Sequence, residues 1–140
     1  MSAEGFEYVE VAAHVGVHAW GPDLPACFRQ CTLAVFNLLV PLETVEPAES
    51  REAAAQGETP EALLVSWINE CLYLHDIEGF VLRDLDPPRV DGARVHAFLR
   101  GEPVDPERHP RGMFGGAATV HALELIREPG RVVARLVLDG

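Results

Sequence analysis

The sequence contains no lysine, and its 11 basic residues, all arginine, stand against 22 Asp and Glu. The formal net charge at pH 7 is therefore −11. An acidic surface repels the phosphate backbone, so direct binding to nucleic acid is not expected. The acidity has two readings: it keeps the protein in solution, or it steers the protein toward a basic partner.

Cysteine is scarce and present in an odd number, as Cys27, Cys31 and Cys71. All three fall at apolar positions of helical patterns, which is typical of reduced core thiols in a cytoplasmic protein. The four-residue spacing of Cys27 and Cys31 also occurs in metal and redox sites, but packing explains it better. The N-terminus lacks the basic and apolar stretches of a signal peptide, and no apolar run is long enough to span a membrane. We therefore expect neither export nor a membrane partner.

Catalytic signatures are missing as well. The sequence has no glycine-rich phosphate loop and no G-x-S-x-G elbow, and neither predicted helix carries an H-x-x-x-H pair. Gly115-Gly116 alone is more typical of a turn or a bulge. This pattern does not favour an enzyme.

Two amphipathic helices are predicted in this 140-residue chain, over 24–39 and 60–75. Asp23 and Thr59 each precede one of them and can accept hydrogen bonds from unpaired first-turn N–H groups. Behind these caps, apolar residues recur at three- and four-residue steps and give each helix one buried stripe. A chain of this length forms one domain, here residues 1–140.

Alternating or apolar segments bounded by turn residues predict strands over 6–11, 14–20, 49–55, 80–86, 93–100, 116–126 and 131–138. Residues 101–112 carry three prolines and are predicted to be an exposed loop rather than a central strand. The order shows no regular β-α-β alternation. It predicts an α+β, two-layer fold in which two helices pack on one face of a mainly antiparallel sheet.

Two places could bind a cation. His14 and His18 point to the same side of the second strand, but lie about 13 Å apart, too far to share one ion. At the C-terminus, the Asp139 side chain and the α-carboxylate of Gly140 put anionic oxygens within one residue, as hard cations prefer. From chemistry alone, surface or partly buried polar histidines and a frayed polar end explain these residues better than a cation site does.

Taken in order, five segments resemble the archease family along nearly the whole chain. The most specific is "ALLVSWINECLYLHDIEGFV" at 62–81, followed by "LAVFNLLVPLETVEPAESRE" at 33–52. The others are "GEPVDPERH" at 101–109, "ATVHAL" at 118–123 and "VLDG" at 137–140. Each would be weak alone, and their order and spacing carry the resemblance.

The resemblance implies a small α+β protein that binds a divalent cation and is not itself a catalyst. Its implied role is to activate an RNA-splicing ligase by promoting guanylylation of the ligase and multiple turnover in tRNA splicing or RNA repair. An alternative is a divergent protein-binding module, or a chaperone-like modulator of a tRNA-modifying enzyme. A metal-dependent enzyme is the third reading.

The family's cation ligands carry over incompletely. Asp139 and the carboxylate of the last residue, Gly140, match the family's terminal pair, whereas His14 stands where the family has a ligand Asp. The cation is calcium in the family, but imidazole suits transition metals better, so the alternatives here are a transition metal and an empty site. A metal-dependent enzyme would use the same groups.

The resemblance also marks a surface for the ligase. It includes the end of the molecule with His14 and Asp139, and the 101–112 loop, where we expect Asp105 and His109 to be displayed. Thr119 and His121, in the fourth segment, complete the expected partner contacts. In that segment Gly116 and Val120 replace a Lys and a Tyr of the family pattern.

Overall fold

The computed structural model describes residues 3–12, 14–110 and 119–139, apart from the side chains of Thr119, His121 and Ala122. Within these residues the chain forms eight strands and two helices. In order they are β1 (Gly5–Val11), β2 (His14–Gly21), α1 (Leu24–Leu39), β3 (Glu49–Gln56), α2 (Pro60–Asp76), β4 (Phe80–Leu85), β5 (Arg89–Asp91), β6 (Arg94–Pro103), β7 (Thr119–Glu128) and β8 (Arg131–Asp139). A 3-10 turn lies at Leu42–Thr44.

Both helices begin where their caps predict. The carboxylate of Asp23 accepts a hydrogen bond of 2.9 Å from the Ala26 N–H, and the Thr59 hydroxyl accepts one of 3.1 Å from the Ala62 N–H. Each contact satisfies a first-turn donor that has no partner inside the helix. The helix starts are thus set by local sequence.

The strands divide into two antiparallel sheets. The first sheet has the order β1-β2-β8-β7; in the second, β6 lies between β3 and β4 and also pairs with β5. The predicted α+β class with two helices and antiparallel strands is confirmed. We expected a single sheet, whereas the structure has two. The strands separate into two sheets because β6 pairs with β3, β4 and β5 rather than with β8.

The helices and the inner faces of both sheets share one core. Helix α1 packs against β2, while α2 packs against β3 and β7. Between the helices, the buried Trp67 indole N–H donates to the Thr32 hydroxyl at 2.8 Å, and that hydroxyl donates to the Phe28 carbonyl. No helix in the described part of the chain is long and apolar enough to cross a membrane.

The cysteines are buried free thiols, as predicted. Burial raises the pKa of Cys71, and hydrogen bonding with Cys27, together with burial, raises the pKa of Cys31. A raised pKa keeps a thiol protonated and poorly nucleophilic. Their role is therefore packing.

The prediction of an exposed loop over 101–112 was wrong at its start. Strand β6 continues through Gly101 and Glu102 to Pro103, which pairs with Phe80 at the strand end. Gly101 permits this close pairing, because a Cβ there would lie only 1.9 Å from the carbonyl oxygen of Val81. The first proline of this segment, Pro103, therefore ends strand β6 but does not prevent the strand from extending to it. Of the predicted strand 116–126, residues 116–118 lie outside the described residues.

Candidate metal site at the end of the first sheet

The strand register of the first sheet brings four chain segments to one end. Val11 of β1 pairs with His14 of β2, and Thr119 of β7 pairs with Asp139 of β8. Between them, Val15 pairs with Leu138, so His14 and Asp139 occupy the next position along the same two strands. Antiparallel pairing therefore brings two residues that are 125 positions apart in sequence to the same end of the sheet.

His14 and Asp139 are close enough to interact. The His14 Nδ1 atom lies 3.6 Å from the Asp139 Oδ1 atom, and the two side chains are 31% and 53% exposed. The strand pairing thus places Asp139 beside His14, the geometry that the predicted cation site requires. Both groups remain accessible from solvent.

The donor set at this end fits part of a cation site. Donors 3.6 Å apart can both reach one ion at bonds of about 2.1 Å, the length usual for zinc. The α-carboxylate of Gly140, the third expected ligand, lies outside the described residues. Among the residues described, no group of three or more His, Cys, Asp or Glu is arranged to hold a metal ion. The described residues alone therefore do not form a complete metal site.

A glycine that the sequence reasoning missed shapes the wall of this site. A Cβ on Gly16 would lie 2.6 Å from Cγ2 of Val9 and 2.9 Å from Cγ2 of Val11. The two valines thus lie over the Gly16 backbone, two residues along β2 from His14. The available signal was a glycine at an outward position of a strand, which often marks a close approach.

The turn that leads into β2 also has an unusual conformation. Ala12 has φ of +54°, in the left-handed region that residues with a Cβ avoid at a cost of roughly 1–2 kcal/mol. This strained residue lies two positions before His14. Such strain is often found next to functional sites, because the surrounding structure must impose it.

His18 belongs to a different pair on the same sheet. Its Nδ1 atom lies 3.7 Å from the Glu7 carboxylate, across the β1–β2 pairing. The prediction that His14 and His18 share one face agrees with the alternation of β2, and each has its own carboxylate neighbour. His18 is therefore not part of the His14–Asp139 pair.

The second sheet contains a buried cluster that the sequence analysis did not predict. Glu102 accepts from the Arg108 guanidinium at 2.5 and 3.3 Å, from the Glu46 N–H at 2.7 Å and from the His109 ring at 2.9 Å. The Nδ1 atom of His109 accepts from the Asp105 N–H at 2.7 Å, so its Nε2 atom carries the proton given to Glu102. We call Glu102, Arg108 and His109 the Glu102 cluster.

These contacts change the acidity of Glu102. The hydrogen bond from Arg108, followed by those from the Glu46 N–H and His109, lowers the pKa of Glu102 to about 2. The carboxylate is thus ionised and fully engaged. The cluster ties residues 104–109 to the outer face of the second sheet.

The expectation that this loop displays His109 was wrong. His109 is only 3% exposed, because its ring turns toward Glu102 and donates a hydrogen bond to that carboxylate. Asp105 is partly exposed, and its carboxylate accepts from the Glu107 N–H and from Arg108, which lowers its pKa. The side chains of Thr119 and His121 lie outside the described residues, although Thr119 is paired with Asp139.

Comparison with known proteins identifies the family. Residues 6–139 match the model of the Archease protein family. The chain belongs to the archease family. Protein archease of Pyrococcus abyssi is 35% identical over 138 residues, covering 96% of this chain and 97% of the relative. Protein archease of Methanopyrus kandleri is 33% identical over 137 residues, covering 96% and 98%.

A solved structure shows the same fold. The solution structure of protein 1598 from Methanobacterium thermoautotrophicum has a TM-score of 0.78 and 29% sequence identity, covering 96% of this chain and 98% of that protein. The archease fold therefore extends over almost the whole chain. It brings His14 and Asp139 to the same end of the first sheet.

Proposed function

We propose that the chain is a non-catalytic accessory factor that activates an RNA-splicing ligase, promoting guanylylation and multiple turnover of the ligase in tRNA splicing or RNA repair. Membership of the archease family supports this role. The single observation that best supports it is the His14–Asp139 pair, which lies at a solvent-accessible end of the first sheet.

The proposed cation ligands are His14, Asp139 and the α-carboxylate of Gly140. A cation held there would supply a positive centre on an otherwise acidic protein, open to an oxygen atom of the partner. With an imidazole in place of one carboxylate, this set favours a transition metal over calcium, which prefers oxygen ligands.

The proposed partner is a cytoplasmic protein rather than RNA or a membrane. The net charge of −11 opposes contact with a phosphate backbone, whereas it favours approach to a basic protein surface. The substrate RNA would then be bound by the ligase. His14 and Asp139 would act on the ligase by contact and charge, without entering the ligation chemistry.

A guanylylation assay tests the proposal. Purified host ligase is incubated with labelled GTP, with and without the protein, and the initial rate and the number of turnovers are measured. We expect the wild-type protein to raise both, and Asp139→Asn and His14→Ala each to reduce the gain at least tenfold, about 1.4 kcal/mol.

The chain offers a matched control on the same sheet. His18 and Glu7 form a pair at 3.7 Å with similar exposure, 30% and 61%, so His18→Ala and Glu7→Gln remove the same types of group. We expect these variants to activate like the wild type. A wild-type protein that changes neither rate nor turnover would contradict the proposal and favour a protein-binding role with another partner.

A further inference from the structure

Large apolar side chains are exposed where α2 ends. Ile77, which caps the helix, is 67% exposed, and Tyr73, one turn earlier, is 51% exposed. Residues four apart lie on the same helix face. These two side chains therefore form one apolar strip that nothing in the described residues covers.

A third apolar side chain extends this strip. Val104 is 43% exposed; its N–H donates to the Gly79 carbonyl at 2.7 Å, and its Cγ1 atom lies beside Gly79, two residues after Ile77. The Glu102 cluster holds the loop that follows Val104. The strip is thus supported by packed structure on both sides rather than by a free chain end.

The charges around the strip are negative. Asp76 and Glu78 flank Ile77 and are exposed, and no arginine occurs from residue 60 to residue 82. The C-terminal end of a helix already carries a partial negative charge, so acidic residues there destabilise the helix. Cations are the usual residues at this position. Asp76 and Glu78 therefore destabilise the C-terminal end of α2 in the isolated protein.

We propose that Tyr73, Asp76, Ile77, Glu78 and Val104, the α2 corner, dock an amphipathic, Arg- or Lys-bearing segment of the partner protein. Apolar groups of that segment would cover Tyr73, Ile77 and Val104, and its cations would neutralise Asp76, Glu78 and the helix end. This inference rests on the proposed function in taking the ligase as the partner.

A second copy of this chain is a poorer occupant. It would bring another acidic corner and another net charge of −11 to the contact, and like charges juxtaposed at an interface oppose association. An amphipathic basic segment matches both the apolar side chains and the negative charges of the α2 corner. Exposed apolar surface rimmed by charge is typical of protein interaction sites.

Affinity measurements with the host ligase test the corner. The dissociation constant is measured by biolayer interferometry for the wild type, for Tyr73→Ala/Ile77→Ser and for Asp76→Asn/Glu78→Gln. We expect each double variant to bind about tenfold more weakly. The charge variant should also lose most of the salt dependence of binding, since it removes the local cation contacts.

Glu58 and Glu61, at the opposite end of α2, provide the matched control. Glu58→Gln/Glu61→Gln removes the same two charges and should leave the affinity within about twofold of the wild type. Thermal unfolding separates binding from structure. Asp76→Asn/Glu78→Gln should hold or raise the melting temperature while it weakens binding, because it removes charges at the wrong helix end.

The outcomes distinguish this inference from the function on which it rests. If both corner variants bind like the wild type while Asp139→Asn loses activation, the α2 corner is overturned and the proposed function stands. If the wild type neither binds nor activates the ligase, the proposed function itself fails. Self-association of the wild type that is lost in the Tyr73→Ala/Ile77→Ser variant would replace the partner by a second copy.

Discussion

Two pairs of the same chemical types, a histidine and a carboxylate, occupy different environments in this protein. In the first sheet, His14 and Asp139 lie 3.6 Å apart and are 31% and 53% exposed. Beside the second sheet, His109 and Glu102 lie 2.9 Å apart, and their side chains are 0% and 8% exposed. The first pair is available to a cation or a partner, whereas the second is committed to the fold.

The difference lies in how far each carboxylate is removed from water. Glu102 has a bidentate arginine, a backbone N–H and a ring N–H, which together compensate for its removal from water. At the sheet end, Asp139 keeps half of its side chain in solvent. Residue types alone therefore do not distinguish the two pairs, whereas the exposure of their side chains does.

The largest expected effect is the loss of protein stability when the buried Glu102–His109 pair is removed. Glu102→Ala leaves the buried His109 ring N–H and the Glu46 N–H without an acceptor and removes one of the two carboxylates paired with Arg108, so it should lower the free energy of unfolding by about 1–3 kcal/mol. Asp139→Asn, at the exposed pair, should change it by less than about 0.5 kcal/mol. Urea unfolding followed by circular dichroism measures both. Equal losses in the two variants would contradict the comparison.

A part of that stabilisation should disappear in acid. The pKa of Glu102 is about 2 in the folded protein, below the ordinary value of 4.5. A group whose folded pKa is lowered stabilises the protein above the ordinary pKa, and the stabilisation is lost as the pH falls toward the folded value. The measurement is the difference in unfolding free energy between the wild type and Glu102→Gln, followed from pH 6 to pH 2.

We expect this difference to be constant above about pH 5 and to shrink steadily between about pH 4.5 and pH 2. Because both proteins share all other carboxylates, their titration cancels in the subtraction. A difference that persists unchanged to pH 2 would show that the ionised form of Glu102 is not what the cluster stabilises.

The smallest expected effect concerns the cation affinity of the proposed site at the exposed pair. His14→Asp restores the carboxylate of the family pattern, and should raise calcium affinity about tenfold while it weakens zinc affinity, because calcium prefers oxygen. Isothermal titration calorimetry gives both constants. His18→Asp, which adds the same carboxylate beside Glu7, is the control and should change neither. Identical titrations for the wild type and His14→Asp would exclude His14 from the ligands.

Much of the architecture was predictable from particular residues. The caps Asp23 and Thr59, the apolar stripes behind them and the turn residues between the strands gave helices and strands close to those observed. The family resemblance predicted that the C-terminal end lies beside His14, and the β2–β8 pairing places Asp139 3.6 Å from it. The burial of Glu102 and His109 was not predictable, since the three prolines of 101–112 indicated an exposed loop.

The sequence by itself determined the elements and their family, because caps, apolar periods and turn glycines act between residues a few positions apart. The tertiary structure alone decided that the strands form two sheets, and that one His–carboxylate pair is buried while the other stays open. Those outcomes depend on partners far away in the chain, such as the Glu46 N–H that Glu102 reaches across 56 positions. A buried charge is stable only where such partners converge, and no local pattern encodes that convergence.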